Sequence, residues 1–388
     1  MAWQLITIDS IENRDLAAGM IARLGFEDIQ LDPLQNFQWL LDNNKLDSDL
    51  IYCGYEDQTG NKGHCFLRRQ FRPVKLSFGE VGLYRYPLQR FELWSEPVLI
   101  CNESDARQRI MNAFVQSVLA LLGQGDGLSI EGLPLESAFY SAVTAGIQES
   151  IPLQLGAPYM HQSINFPDSI EGYFQQMSSR SRKSVQYSYR KLGKEFDVEL
   201  FTCDEAQHIE TFLDYAISIS MKTYQWNLLG LGLRDRNGLR HTLQKWNRLG
   251  GLRSYILLCD GIPVAFMLGH IYHSCYYYID VGYDPDWGQY SVGSVLQLHV
   301  IEQLYGLSSV PKTFDFSVGY GEHKARFGNH QQEEVNMLLM PATMRNRIFV
   351  WLYSSLEWWS DSIISLLDRL GVKKRLKKLI RQFSSNKS

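Results

Sequence analysis

Ser254-Tyr-Ile-Leu-Leu-Cys259, Asp260-Gly261, Cys275-Tyr-Tyr-Tyr-Ile-Asp-Val-Gly-Tyr283, Tyr290-Ser-Val-Gly-Ser294 and Thr313-Phe-Asp-Phe-Ser-Val318, in that order, decide the fold. The first run is apolar and short, and Asp-Gly after it is a two-residue hairpin signal. Residues 264–270 return as a second strand, and Cys275 to Tyr283 make a third. Asp284-Pro-Asp-Trp-Gly288 then turns the chain into a helix that opens near Ser291 and ends at Gly306. Leu296, Val300 and Leu304 recur at helical spacing, so one side of that helix is core. Thr313 to Val318 is a further strand, followed by Gly319-Tyr-Gly-Glu322-His-Lys324-Ala-Arg326-Phe-Gly328.

Period-two alternation places Tyr276, Tyr278, Asp280 and Gly282 on one face of the third strand. On the last strand Phe314, Phe316 and Val318 point one way, and Asp315 and Ser317 the other. A carboxylate inside a strand is costly unless it is paired or faces a cleft. If the two strands are neighbours, Asp280 and Asp315 line one groove. Between them, Ser291 is a reasonable N-cap, and Gly293 lacks the Cβ that would keep a ligand from the backbone. The first amides of a helix are open donors and its dipole favours an anion, so this turn is a candidate phosphate cradle.

Working outward, residues 1–45 read as helical, with strands at 50–55 and 64–71 around a polar turn. A helix from Ser104 carries Ile110, Phe114 and Val118, and a short strand follows at 128–132. Pro152, Pro158 and Pro167 mark a connecting stretch over 151–170. Beyond it come a helix-rich segment, a strand at 196–201, a helix from Asp204 as N-cap, and another with Leu239, Leu243 and Trp246 on one face. Both halves run helix, helix, strands, helix, strand, which suggests a diverged duplication. The fold class is α/β (α+β): two modules, each a mixed, mostly antiparallel sheet flanked by helices, at 1–150 and 151–345. A C-terminal helical tail follows at 346–388.

The 388 residues are 45% hydrophobic and 21% charged, ordinary for a globular chain. No apolar run approaches the roughly 20 residues a bilayer span needs, and the start lacks the pattern of a signal peptide. Six cysteines without CxxC spacing point to a reducing cytoplasm. Nine histidines show no HExxH or other metal spacing, so no metal is expected. The net charge of −4 hides an asymmetry: residues 369–388 hold eight Lys/Arg and no acid, leaving 30 basic and 42 acidic side chains, a net −12, before them. An acidic body makes nucleic acid an unlikely partner and leaves the tail as the contact for an anionic surface. Ile348, Leu352, Leu356, Trp359, Ile363, Leu367 and Leu370 form its expected apolar stripe. With the basic residues beyond, the tail fits an anionic membrane surface, with docking on the body or a partner as the alternative.

Asp260-Gly261-Ile-Pro-Val-Ala265, Gly282-Tyr-Asp-Pro285, Ser291-Val-Gly-Ser294, Phe314-Asp-Phe316, Gly319, Glu322 and Lys324 together resemble the GNAT superfamily of acyl-CoA acyltransferases. More narrowly they are similar to its double-GNAT group associated with bacterial cellulose and exopolysaccharide biosynthesis, itself related to Fem-type aminoacyltransferases. The resemblance covers roughly 165–345, with 50–140 similar to the group's degenerate first half. Tyr290 and Val295 stand where the superfamily's phosphate loop has Gln or Arg and Gly or Ala, and His323 where the group often has an aromatic residue.

The resemblance implies an acyl-CoA co-substrate, acetyl-CoA first among candidates, held by Val281, Tyr283, Ser291, Val292, Gly293 and Ser294. It implies direct N-acyl (or O-acyl) transfer to a saccharide or cell-envelope precursor, since no cysteine is placed as a nucleophile. Fem-like aminoacyl transfer, and a silent accessory role beside a polysaccharide synthase, stand as alternatives. In the leading reading Asp315 lines the site, Glu322 or His323 accepts the amine proton, and Asp280 is a second candidate base. Lys324 neutralises a phosphate or holds Asp315, and Tyr283 or Tyr320 protonates the thiolate.

Overall fold

Apolar alternation builds the strands on which residues 254–315 rest. In the computed structural model Tyr255, Leu257 and Cys259 enter one buried cluster while Ile256 and Leu258 enter another, so the strand Ser254–Cys259 is covered on both faces. Asp260 and Gly261 both have positive φ, 50° and 75°, the backbone a two-residue hairpin turn requires. The structure describes residues 2–26, 33–41, 47–78, 81–145, 149–223, 232–317 and 321–369, excluding the side chains of Val81, Glu322 and 360–369.

The chain packs as two units. One comprises residues 25–45 and 158–334. Its sheet runs Val198–Cys203, Ser254–Cys259, Ile262–Tyr272, Cys275–Tyr283, Thr313–Asp315, Tyr159–Asn165 and then His330 to Glu334. All neighbours are antiparallel except Cys275–Tyr283 with Thr313–Asp315, which are parallel. The helix Val292–Tyr305 connects that parallel pair and buries Leu296, Val300 and Leu304, each burial being worth about 1.5–3 kcal/mol. Helices Ile209–Lys222 and Arg236–Arg248 join the cluster on the other face. Trp39, from the early segment, joins them there and stacks on His270 at 4.9 Å.

The other unit comprises residues 1–24, 46–157 and 335–388. Its strands follow the same plan: Gln4–Ile8, Asp47–Glu56, Lys62–Phe71 and Gln89–Leu93 are successive antiparallel neighbours. Asp126–Pro134 then lies parallel to Gln89–Leu93, with the helix Ser104–Leu121 between them in sequence. In both units a parallel pair follows four antiparallel strands, with a helix joining the pair, as the duplicated order in the sequence suggests. Compared with the contiguous 1–150 and 151–345 read from sequence, residues 25–45, 151–157 and 335–345 pack with the opposite unit. Each unit is a mixed, mostly antiparallel sheet flanked by helices: the fold is GNAT-like.

Several local readings are corrected. The start is a strand, Gln4–Ile8, before the helix Ile11–Leu24. Residues 151–170 are not a plain connector, since the strands Ser150–Gln154 and Tyr159–Asn165 occupy most of them. Asp204 does not cap a helix; its carboxylate is 3.2 Å from His208 Nδ1 and accepts Arg253 at 3.0 Å. Ser291 stands before its helix in a left-handed conformation, φ 55°, with no side-chain cap hydrogen bond.

The most consequential correction is a bulge. Leu268 pairs with Asp280 but Gly269 pairs with Tyr278, so Ile279 is an extra residue. One extra residue exchanges the faces of a strand. Tyr276 and Tyr278 therefore share a face with Val281 and Tyr283, and all but Tyr283 join or pack against the cluster beneath the Val292–Tyr305 helix. Asp280 and Gly282, paired with Leu268 and Phe266, turn to the opposite side.

The tail stripe is also rotated from expectation. In the helix Met344–Arg369, Phe349 is buried and stacks on Tyr86 at 4.0 Å, with Val350, Tyr353 and Leu356 packed beside it. Ile348, Leu352 and Trp359 are exposed. Side chains at 363 and 367, and all of 370–388, lie outside the described residues.

Candidate active site

The cleft begins where two parallel strands stop pairing. Cys275 to Tyr277 pair with Thr313 to Asp315; the first strand then continues to Tyr283 while the second ends. What ends it is local: Asp315 Oδ1 accepts the Ser317 N–H at 2.6 Å, and Ser317 adopts φ 59°. A short aspartate-headed turn of this kind draws the backbone out of the ladder. The helix Glu322–Phe327 follows and brings His323 and Arg326 to the opening.

The opening is a cleft of about 630 Å³, lined by Val281, Gly282 and Tyr283 from the strand, by Ser291 to Ser294 at the helix entry, and by His323 and Arg326. Gln297 and Thr223 complete its polar lining. Every residue expected at the co-substrate site thus lines this one cavity. A helix entry offers backbone donors and the positive end of its dipole. Arg326 adds a cation there, its Nη1 3.4 Å from Ser294 Oγ. A Cβ at Gly293 would approach nothing closer than Tyr283 Cδ1 at 3.6 Å, so the glycine leaves space open toward the cleft rather than relieving a clash.

The expected catalytic residues do not converge on one place. His323 lines the cleft as a solvent-exposed residue, with Nε2 3.1 Å from the Tyr278 hydroxyl. Burial, then the charges of Lys324 and Arg326, hold its pKa below 6.5, so the ring is neutral near pH 7 and can accept a proton. Asp280 precedes the cleft-lining Val281 but faces the other side of the sheet. Burial raises its pKa against the opposing hydrogen bond from Val281 N–H at 2.8 Å. The Glu322 side chain and residues 318–320, Tyr320 among them, lie outside the described residues.

Asp315 is not an open base. Its Oδ1 is 2.8 Å from His161 Nε2, and His161 Nδ1 is 2.9 Å from Glu334 Oε1. Burial alone would lower the imidazole pKa; hydrogen bonds to the two carboxylates outweigh it and push the value up to about 10. The group is an imidazolium held between two anions. Lys324 is 8% exposed and donates to the Ser317 carbonyl at 3.1 Å, bracing the turn that Asp315 heads. Burial lowers its pKa, with Asp315 opposing. His161 and Glu334 escaped sequence reasoning. The signal was an alternating strand at 159–165 placed inside a presumed connector, and nothing local joins it to residues more than 150 positions away. No group of three His, Cys, Asp or Glu among the described residues is placed to hold a metal.

Residues 179–325, the segment carrying the cleft's strand and helix, match the family described as "Acetyltransferase (GNAT) domain". The crystal structure of FemX superposes with a TM-score of 0.54 at 11% identity, covering 88% of this chain and 97% of that one. A conserved protein of unknown function from Bacteroides thetaiotaomicron VPI-5482 gives 0.49 at 13% identity over 86% and 99%. L-PGS from Bacillus licheniformis gives 0.45 at 10% over 89% and 97%. No curated protein matches the chain. The domain match over residues 179–325 and the sheet plan define a GNAT-like fold.

Proposed function

We propose that this chain is an acyl-CoA-dependent N-acyltransferase using direct transfer, with acetyl-CoA as the first donor to test. The observation that carries the reading is the cleft in which a splayed strand, an open helix entry, Arg326 and neutral His323 meet. The donor's phosphates would meet the helix entry and Arg326, and its thioester arm would run along Val281 to Tyr283. His323 takes the proton lost as the acceptor amine forms its bond to the acyl carbon. The carbon–sulfur bond breaks, and Tyr283, on the cleft wall, protonates the thiolate. No cysteine is among the described residues that line the cleft, in keeping with direct transfer. Asp315, Lys324 and His161 hold the splayed strand end rather than move protons. Asp280, the other base candidate from the sequence, faces the opposite side of the sheet and is not part of the cleft lining, so it has no part in this step. The acceptor class, a saccharide or cell-envelope precursor, rests on sequence resemblance alone, and a CoA donor implies a cytoplasmic enzyme.

Calorimetric titration with CoA, acetyl-CoA and longer acyl-CoAs tests the reading. Saturable binding that weakens at least tenfold in Arg326→Ala is expected. Absence of binding to every CoA thioester overturns it.

A further inference from the structure

The helix Met344–Arg369 buries one side within its own unit and leaves the other bare. Advancing about 100° per residue, Met344, Ile348, Trp351, Leu352, Trp358 and Trp359 fall within an arc of about 120°. They are 73%, 53%, 67%, 38%, 63% and 56% exposed. Every residue on that arc but Ser355 and the undescribed side chains beyond 359 is apolar, and exposed Arg345 and Arg347 stand on its two rims. Scattered apolar residues on a surface need no explanation, but a continuous arc holding three tryptophans does.

We infer that this arc is a docking surface for an anionic lipid bilayer, with the helix lying in the plane of the headgroups. Two observations choose lipid over a protein partner. Tryptophan is suited to the headgroup level, where a broad apolar ring and one N–H donor are both accommodated. The chain that continues directly from this helix carries eight Lys/Arg and no acid in 369–388, whereas everything before it is net −12. An anionic surface therefore repels the body and attracts only the end at which the arc sits. Apolar insertion and basic attraction are the two signals that durable peripheral binding requires.

The test uses the full-length protein and sucrose-loaded vesicles of phosphatidylcholine, with and without 30–40% (about a third) phosphatidylglycerol. The expected result is co-sedimentation with the anionic vesicles only, weakened by salt, with tryptophan fluorescence quenched by brominated lipid chains. The variant Ile348→Ser/Trp351→Ser/Trp358→Ser alters only exposed side chains. It should bind at least tenfold more weakly while keeping its thermal midpoint and its CoA binding. Unchanged vesicle binding by that variant overturns the proposal, since the basic segment alone would then suffice. Equal binding to neutral vesicles, or self-association lost in the variant without any vesicle binding, overturns it too.

Discussion

His161 Nε2 and Asp315 Oδ1 lie 2.8 Å apart although 154 positions separate them in sequence. The histidine's other nitrogen holds Glu334, which is 5% exposed, so one imidazolium ties three strands of the sheet beside the point where the cleft opens. The residue that the sequence nominates as the acid of the site is thereby an anchored member of a partly buried ion network.

Removing the cation leaves two carboxylates facing each other. His161→Gln should cost about 2 kcal/mol or more of stability at pH 7, read by urea denaturation. The pH dependence has a definite sign. A histidine whose folded pKa is raised to about 10 contributes stability that is fully present below 6.5 and is lost as pH rises through about 10. Wild-type protein should therefore lose an increment across that window which His161→Gln lacks. Asp315→Asn should lower the His161 pKa by NMR titration and destabilise the fold, and an unperturbed His161 would contradict the ion pair.

His323 gives a kinetic prediction. His323→Gln should reduce kcat/KM by roughly 10²–10⁴-fold with little change in acyl-CoA affinity. Because its pKa lies below 6.5, wild-type activity should rise with pH through a limb below that value and then level off. The variant should lack the limb, and a limb retained unchanged would assign the base elsewhere.

Gly293 separates folding from binding. Its added Cβ meets nothing closer than 3.6 Å, and its backbone is helical. Gly293→Ala should leave stability unchanged or raise it by about 0.5–1 kcal/mol. The same methyl intrudes on the cleft, so acyl-CoA affinity should fall several-fold by calorimetry. Equal affinity would mean that the donor does not approach the helix entry.

His270 carries an acid liability. It is 5% exposed, stacked on Trp39, Trp246 and Tyr277 at 4.9, 4.4 and 5.1 Å, and neither ring nitrogen has a hydrogen-bond partner. Burial depresses its pKa to about 3. The unfolded chain therefore binds a proton that the folded one refuses, and stability falls as pH drops from 6.5 toward 3. His270→Phe should be relatively more stable than wild type at pH 5 than at pH 8, by thermal melts at both.

Legibility tracked sequence distance. The cleft was readable in part because its strand, turn and helix entry lie within residues 281–294, whereas Thr223, Gln297, His323 and Arg326 were added by folding. The Ile279 bulge was not readable. Nothing in Cys275 to Tyr283 announces an extra residue, and its presence depends on how Gly269 and Leu268 pair across the sheet. The tail stripe failed for a related reason. A helix apolar most of the way round does not say which side will be buried, and contact with Tyr86 and its neighbours chose Phe349 over Ile348.

By itself, then, the sequence determined what period and turn chemistry control: strands over 254–283, a left-handed Asp260-Gly261 turn, and a glycine-bearing helix entry beside a strand. Those follow from interactions among residues a few positions apart. The tertiary structure alone decided which face Asp280 presents, that Asp315 is held by His161 rather than left open, and that His323 lines the cleft with a lowered pKa. Each depends on a partner brought from another strand or helix, where burial and charge set protonation and no local pattern records the encounter.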